Sequence, residues 1–565
     1  MKTENLSDEK TENLLRENRR KKWLWRLFIA FIFSLTLAAH IFFAVALAND
    51  EPNDGKLYAQ MAKNLLEQNV FSAESAPPFT PTIIRLPGYP LFLAGIYSIF
   101  GHDNNTAARV VQGIFNTATC LLIALLALNW TANEKLKRRA FWLAYFLAAL
   151  CPFTAIYAAT ILTETLTIFL LAAMTLAATY AFKTESLKPK ILWWISAGIL
   201  SGLAVLLRPD SGLFAAGIGL TIVVTGLFQI EKRPSFFSKF KTGFLKIIWQ
   251  GTVFSIAFIL PLVPWTIRNE QVFGVFQPLA PAHAEAPGEF VAFGYFRWVR
   301  TWIDDEKYIE PTLWNLDDKP IKIEQIPASA FDGDEEKSRV AALLKQYNQT
   351  PDEANDSQDS PDDKSGDKDD SADSGDDASD NSDADNSDNN DNADNSDQNS
   401  NDNQNVEMTP EIDAGFAQIA DERIARAPFR YYVGLPAKRA ASMWLDTHSQ
   451  YYPFAGELFP LKDLDEDENQ QIWLPVFAVL TWIYTLFGIV GAFVLWRTRS
   501  IRWLLLAALL IFPRVAFFAM LENPEPRYVV ELFAVASALG GIALAHIKFK
   551  RRKNYFSIGF FYGKD

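Results

Sequence analysis

The chain has 565 residues, 49% of them hydrophobic, 14% aromatic and only 21% charged. Apolar runs of roughly twenty residues recur along it, the length a helix needs to cross a hydrocarbon core of about 30 Å, which excludes an ordinary soluble globule and points to a protein that spans a membrane many times. The formal charge of −13 belongs to one segment: residues 351–407 hold 21 Asp and Glu against 2 Lys, and without that −19 the remainder carries +6, so nothing suggests a nucleic-acid partner.

In chain order, a polar, basic N-terminal segment (1–23, with RENRRKK at 16–22) precedes a first apolar span at about 24–48. That span is too long, and lacks the small-residue cleavage site, for a removable signal peptide. Further spans are expected at about 107–130, 140–161, 164–182, 191–207, 212–230, 247–266, 472–496, 503–521 and 527–547, ten in all. With residue 1 in the cytoplasm, the short basic connections EKLKRR (134–139), KTESLKPK (183–190), EKRPSFFSKFKTGFLK (231–246) and RTRSIR (497–502), and the tail 548–565 with KFKRRK, all fall on the inner side. That is the positive-inside pattern of an even number of helices. The expected architecture is an all-α polytopic membrane protein with an extracytoplasmic loop domain: a transmembrane core 24–266, a large outer loop 267–471 and C-terminal spans 472–547.

Two outer connections hold the chemistry. Within the first, 49–106, the positions Leu57, Tyr58, Met61, Ala62, Leu65 and Leu66 repeat at helical spacing, which predicts a surface helix over 55–67 with Asp54 at its start. Asp54 can cap that helix, or serve as a general base that takes a proton from an attacking hydroxyl, and the two roles are compatible. Arg85 precedes the turn Leu86-Pro87-Gly88-Tyr89-Pro90; it either snorkels to headgroups or grips a phosphate. The large loop is aromatic and Pro-rich at its start, low in complexity only at 351–407, and has an interfacial helix expected at 428–446. The acidic tract has too few apolar residues to offset the entropy of ordering and reads as a solvated spacer, and no EF-hand pattern marks a calcium site in it.

Glu164, in YAATILTETLTIFLL, lies where two spans meet at a short turn. A carboxylate at that depth is costly unless paired or functional; the structural alternative is that Thr160, Thr163 and Glu164 serve the first turn of the next helix. Arg208, Arg268 and Arg527, the last followed by Tyr528, are outer-side cations where the inside bias makes arginine unexpected, and an anionic ligand would explain them together. Arg514 falls near mid-span and requires an interior partner that the sequence does not name. No nucleotide-binding or serine-hydrolase motif is present, and Cys120 and Cys151 offer neither a disulfide framework nor zinc-ligand spacing.

The ordered segments PNDGKLYAQMAKNLLEQNVFS (52–72), RLPGYPLFLAGIYSIFG (85–101), NTAARVVQG (105–113), ILTETL (161–166), GLAVLLRPD (202–210), PWTIRNEQVFG (264–274) and PRYVVELF (526–533) resemble the GT-C superfamily of membrane glycosyltransferases. Specifically, they are similar to glycosyltransferase family 39, with its protein mannosyltransferase-like and lipid A aminoarabinose transferase-like branches. The resemblance implies a hexosyl- or pentosyltransferase that moves one sugar from a polyprenyl-phosphate donor to a glycolipid, protein or polysaccharide acceptor at the outer face, with inversion. It implies a catalytic role for Asp54, with Glu164 matching the acidic residue that opens the fourth span, and a donor-phosphate role for Arg85, Arg527 and Tyr528; Arg208 and Arg268 join that phosphate-binding set from the residue reading above, as outer-side cations. No cofactor is specified, a divalent cation being possible, and no metal ligand is assigned. Relatives often carry Asp-Glu where this chain has Asp54-Gly55, which makes Asp50-Glu51 a rival for the base. The short basic loops together with the resemblance suggest a multi-pass bacterial inner membrane protein with both termini cytoplasmic, though an endoplasmic reticulum location would obey the same rules. The competing reading from the residues is a secondary transporter or a lipid-linked-sugar flippase, which Arg514 favours.

Overall fold

A backbone in lipid can satisfy its polar groups only internally, so the apolar runs become helices. The computed structural model describes residues 2–48, 51–228, 236–281, 289–349, 406–459, 461, 468–552 and 555–560. Its helices are α1 (Lys2–Ala46), α2 (Asn53–Glu67), α3 (Gly88–Phe100), α4 (Asn105–Trp130), α5 (Glu134–Ala149), α6 (Pro152–Ala159), α7 (Glu164–Lys183), α8 (Leu187–Leu207), α9 (Gly212–Phe228), α10 (Phe236–Ile259), α11 (Val263–Phe273), α12 (Phe293–Val299), α13 (Asp334–Tyr347), α14 (Pro410–Arg426), α15 (Leu435–Leu445), α16 (Glu468–Arg497), α17 (Ile501–Ala519) and α18 (Leu532–His546).

Among the described residues, eight helical stretches are long and apolar enough to cross a membrane. Two of the ten expected spans differ in form. The run expected as one helix at 140–161 is two helices, α5 and α6, bent by 50° at Leu150–Cys151. Pro152 at the first position of α6 has no amide to continue the α5 ladder, so the chain turns there. The run expected at 527–547 begins as a 3-10 turn, Pro526–Val529, and becomes an α-helix only at Leu532, which leaves a 15-residue α18. Among the described residues the helical body has one exception, an antiparallel hairpin of β1 (Ile547–Arg552) and β2 (Tyr555–Phe560), which starts at the last residue of the expected final span and runs into the expected C-terminal tail.

α18 is buried along nearly its whole length, between α4, α5 and α16. α8 lies against α10 through Gly198 and Gly202; a Cβ there would stand 2.5 Å and 2.3 Å from the carbonyl oxygens of Phe254 and Phe258. Only glycine lets the two backbones approach so closely, the usual basis of helix association in lipid. Buried hydroxyls fold back on their own helices: Thr119, Thr131, Thr167, Thr179, Ser201 and Thr221 each donate to the carbonyl four residues earlier.

The chain divides into two compact units: one of residues 1–291, 303–306 and 427–565, the other of residues 292–302 and 307–426. In the second, Trp298, Tyr295 and Phe416 pack as a buried aromatic core, and Arg423, itself fully buried, pairs with Glu336 and Asp332. Asp413 at the start of α14 accepts from the amides of Gly294 and Tyr295. The expected spacer 351–407 lies outside the described residues except for Val406 and Glu407. The expected interfacial helix at 428–446 corresponds in the first unit to a π-helical turn, Arg430–Gly434, running into α15. Within it Arg439 is buried rather than snorkelling, and donates to the carbonyls of Ile303 and Ala519.

Candidate active site

α2 begins after Pro52, and its first turn carries Asp54. No side-chain cap bond forms at that end. The Asp54 carboxylate is engaged instead by two arginines: Arg85 Nη2 donates to Oδ1 at 2.9 Å, and Arg527 Nη1 to Oδ2 at 3.2 Å. The cap role therefore does not describe how this carboxylate is used. Gly55 explains the departure from an Asp-Glu pair: a Cβ at 55 would stand 2.8 Å from the carbonyl oxygen of Ile161, so α2 can rest against the turn before α7 only with glycine there.

That turn places Glu164 at the first position of α7, 1% exposed. Its Oε1 accepts from Arg208 Nη1 at 2.6 Å, and Thr163 Oγ1 donates to Oε2 at 3.4 Å. Thr160 instead donates to the carbonyl of Ile156, so these side chains do not cap α7. Arg208, where α8 ends, also pairs through Nε with Asp210 at 3.2 Å and lies 3.7 Å from Glu531.

Asp54, Arg85, Glu164, Arg208, Arg527 and Tyr528 all line one cavity of about 630 Å³, together with apolar side chains such as Leu86, Leu207, Leu213 and Phe518. Polar groups concentrated on an otherwise apolar wall are the usual form of a small-ligand site. Asp54 and Arg527, 473 positions apart in sequence, meet there.

Not every candidate reaches the cavity. Arg268 on α11 donates to the carbonyl of Thr82 at 3.0 Å and to Asn269 Oδ1 at 2.9 Å, and its guanidinium lies over the rings of Trp265, Phe273 and Phe71. It fastens the loop before Arg85 rather than lining the site. Asp50 of the rival pair lies outside the described residues, and Glu51 is held by Arg109 and by Asn105 of α4 (3.1 Å for Asn105), away from the cavity. Tyr528 lines the cavity by its ring, which stacks on Phe518 at 4.4 Å, while its hydroxyl donates to Glu525 Oε1 at 2.6 Å. Glu525 Oε2 also takes Arg527 Nε at 2.6 Å, so one carboxylate fixes both members of the Arg527-Tyr528 pair.

Sequence reasoning left Arg514 without a partner, and the structure supplies three. Its Nη1 pairs with Asp210 Oδ2, its Nη2 with Glu531 Oε1 at 2.9 Å, and its Nε donates to the carbonyl of Tyr528 at 2.7 Å. Asp210 and Glu531 were visible in the motifs RPD and PRYVVELF, but only the packing of α17 against α9 and against the turn before α18 brings them to Arg514. These carboxylates, Asp210 on the cavity wall and Glu531 outside its lining, thus bind Arg208 and Arg514 at once.

Burial alone would raise the Asp54 carboxyl, but the charges of Arg527 and Arg85 outweigh it and hold the group below the usual carboxylate range. Glu306 behaves oppositely: burial, with the negative charges of Glu525 and Asp446 nearby, pushes it up to about 9. Among the described residues no three His, Cys, Asp or Glu side chains are grouped so as to hold a metal ion.

The family model for dolichyl-phosphate-mannose-protein mannosyltransferase matches residues 81–265. Among solved structures, the chain is similar to ArnT from Cupriavidus metallidurans in the apo state (11% identity, 91% of this chain and 78% of that one, TM-score 0.36). It is similar to the same protein bound to undecaprenyl phosphate (11% identity, 90% and 77%, TM-score 0.37). It is also similar to the archaeal oligosaccharyltransferase AglB from Archaeoglobus fulgidus, in complex with an inhibitory peptide and a dolichol-phosphate (12% identity, 91% and 50%, TM-score 0.40). No curated protein matches the chain significantly by sequence. The matched segment, 81–265, holds Arg85, Glu164 and Arg208 with the helices that carry them.

Proposed function

We propose that the chain transfers one sugar from a polyprenyl-phosphate carrier to an acceptor at the extracytoplasmic membrane face, with inversion at the anomeric carbon. The observation that carries this reading is Asp54 bridging Arg85 and Arg527 in a cavity that Glu164 and Arg208 also line. A polyprenyl-phosphate sugar is a phosphodiester with one negative charge; when its C1–O bond breaks, the phosphate leaves with a second. Guanidiniums already in place stabilise that growing charge without rearrangement, so no nucleotide is required. The acceptor O–H or N–H attacks C1 from the opposite side, its proton passes to Asp54, and the polyprenyl phosphate departs. One displacement inverts the configuration.

The Asp54 carboxylate engages the same two arginines that the donor phosphate needs. Donor binding then exchanges one anion for another: the phosphate takes Arg85 and Arg527, and Asp54, relieved of both cations, regains basicity as the acceptor arrives. Glu164, Asp210 and Glu531 keep Arg208 aimed at the cavity. The apolar part of the wall suits the prenyl chain, and the ArnT and AglB structures were solved with undecaprenyl phosphate and dolichol-phosphate respectively.

Transport or flipping was favoured only by Arg514. Its partners Asp210, Glu531 and the Tyr528 carbonyl explain its burial as a brace of the same site, which removes that support. Mass spectrometry of surface glycans and lipids from cells with and without the protein, followed by transfer with purified protein in detergent, tests the proposal. Sugar transfer without any membrane gradient is expected; uptake or flipping with no transfer would contradict it.

A further inference from the structure

A second cavity, of about 120 Å³, lies at the opposite ends of the helices that build the first. α7 runs from Glu164 at the first cavity to Phe182 at the second, and α8 from Arg208 back to Lys190. α7 has 20 residues, which at about 1.5 Å each span about 30 Å, the thickness of a hydrocarbon core. The second cavity therefore belongs to the other membrane interface.

Its lining carries Lys190, Lys246 and Arg502 and, among the described residues, no carboxylate. The three come from α8, α10 and α17, and Lys246 and Arg502 act on Lys190 as like charges, with Glu185 the opposing charge nearby. Lys190 and Arg502 each stand in the first turn or so of their helices, where the macrodipole already presents positive charge. Arg502 donates to the carbonyl of Phe182, which fixes the guanidinium at the cavity edge. The inside bias explains basic residues on loops, but not three cations from three helices converging on a pocket against their mutual repulsion and two helix dipoles. An anion seated among them reverses every one of these terms.

We propose that this pocket binds the phosphate of an anionic phospholipid in the leaflet it faces. Its position fits a lipid: headgroup phosphates lie at that interface, and the adjoining faces of α9 and α10 are apolar and exposed, with Val223, Leu227 and Ile248 available to acyl chains. The site is independent of the transfer chemistry.

The test uses the full chain in nanodiscs of phosphatidylcholine, with or without phosphatidylglycerol, reading retained lipid by native mass spectrometry and thermal unfolding in parallel. Phosphatidylglycerol is expected to raise the melting temperature of the wild type and to remain bound. Lys190→Gln/Lys246→Gln/Arg502→Gln should lose that shift and retain at least about tenfold less phosphatidylglycerol, since each 1.4 kcal/mol of lost binding is a factor of ten. Lys246→Gln alone, at an exposed position that does not endanger folding, should lose part of both. A control with the same loss of charge outside the pocket, Lys135→Gln/Lys188→Gln/Arg499→Gln, should behave as wild type. Equal loss in the control, or full retention in the pocket variants, would overturn the proposal, and so would an equal shift from inorganic phosphate in pure phosphatidylcholine, which would make free phosphate the ligand.

Discussion

Arg85 and Arg268 are both outer-side arginines by sequence, and only their neighbours separate them. Arg85 reaches Asp54 in the cavity, whereas Arg268 is spent on a backbone carbonyl and three rings. A charge-assisted bond is worth about 1.5–3 kcal/mol, so Arg85→Ala is expected to weaken donor binding by roughly ten- to a hundredfold while Arg268→Ala lowers stability and leaves donor affinity unchanged. Titration of donor into each purified variant checks this; equal affinity losses would return Arg268 to the site. Glu306 gives a pH prediction. The buried carboxyl holds its proton to about 9 against an ordinary 4.5, so between those values the folded chain binds more protons than the unfolded one. Stability therefore falls as pH rises across that window. Glu306→Gln should flatten the decline, seen as a melting temperature that changes less between pH 5 and 8 than the wild type's.

At the scale of elements, the sequence was most informative where a pattern is local and least where two distant segments meet. The surface helix opening at Asp54 follows from a 3.6-residue period, and α2 spans Asn53–Glu67 accordingly. The break between α5 and α6 was hidden inside an apolar run although Pro152 marked it, because hydropathy alone does not distinguish a straight span from a bent one. The late start of α18 was likewise hidden: the run expected from 527 opens as a 3-10 turn, Pro526–Val529, which hydropathy does not distinguish from α-helix. Arg514 was conspicuous and its partners were not, since Asp210 belongs to the turn before α9 and Glu531 to the end of the turn before α18. Arg514→Met is expected to destabilise the protein by about 3–5 kcal/mol, because it leaves Asp210 and Glu531 as buried carboxylates with only Arg208 between them. Pairing it with Glu531→Gln should recover part of that loss in thermal unfolding; no recovery would mean the guanidinium acts mainly through the Tyr528 carbonyl.

For the whole molecule, the ordered motifs were legible and so was the set of residues that converge, since Asp54, Arg85, Glu164, Arg208, Arg527 and Tyr528 share a cavity. What the sequence withheld was the pairing within that set, above all that Asp54 sits between Arg85 and Arg527. The sidedness proposed from basic loops is tested by cysteines added at Asn104 and Lys135: only the first should react with an impermeant maleimide applied to intact cells, and labelling of the second alone would invert the topology. The central claim is that Asp54 is both the proton acceptor and the placeholder for the donor phosphate. Purified Asp54→Asn protein, measured for polyprenyl-phosphate binding and for sugar transfer on a matched donor, tests it most directly. Transfer should fall by about 10²–10⁴-fold while the carrier binds at least as tightly as to wild type; an unchanged transfer rate, or loss of carrier binding, would contradict the account.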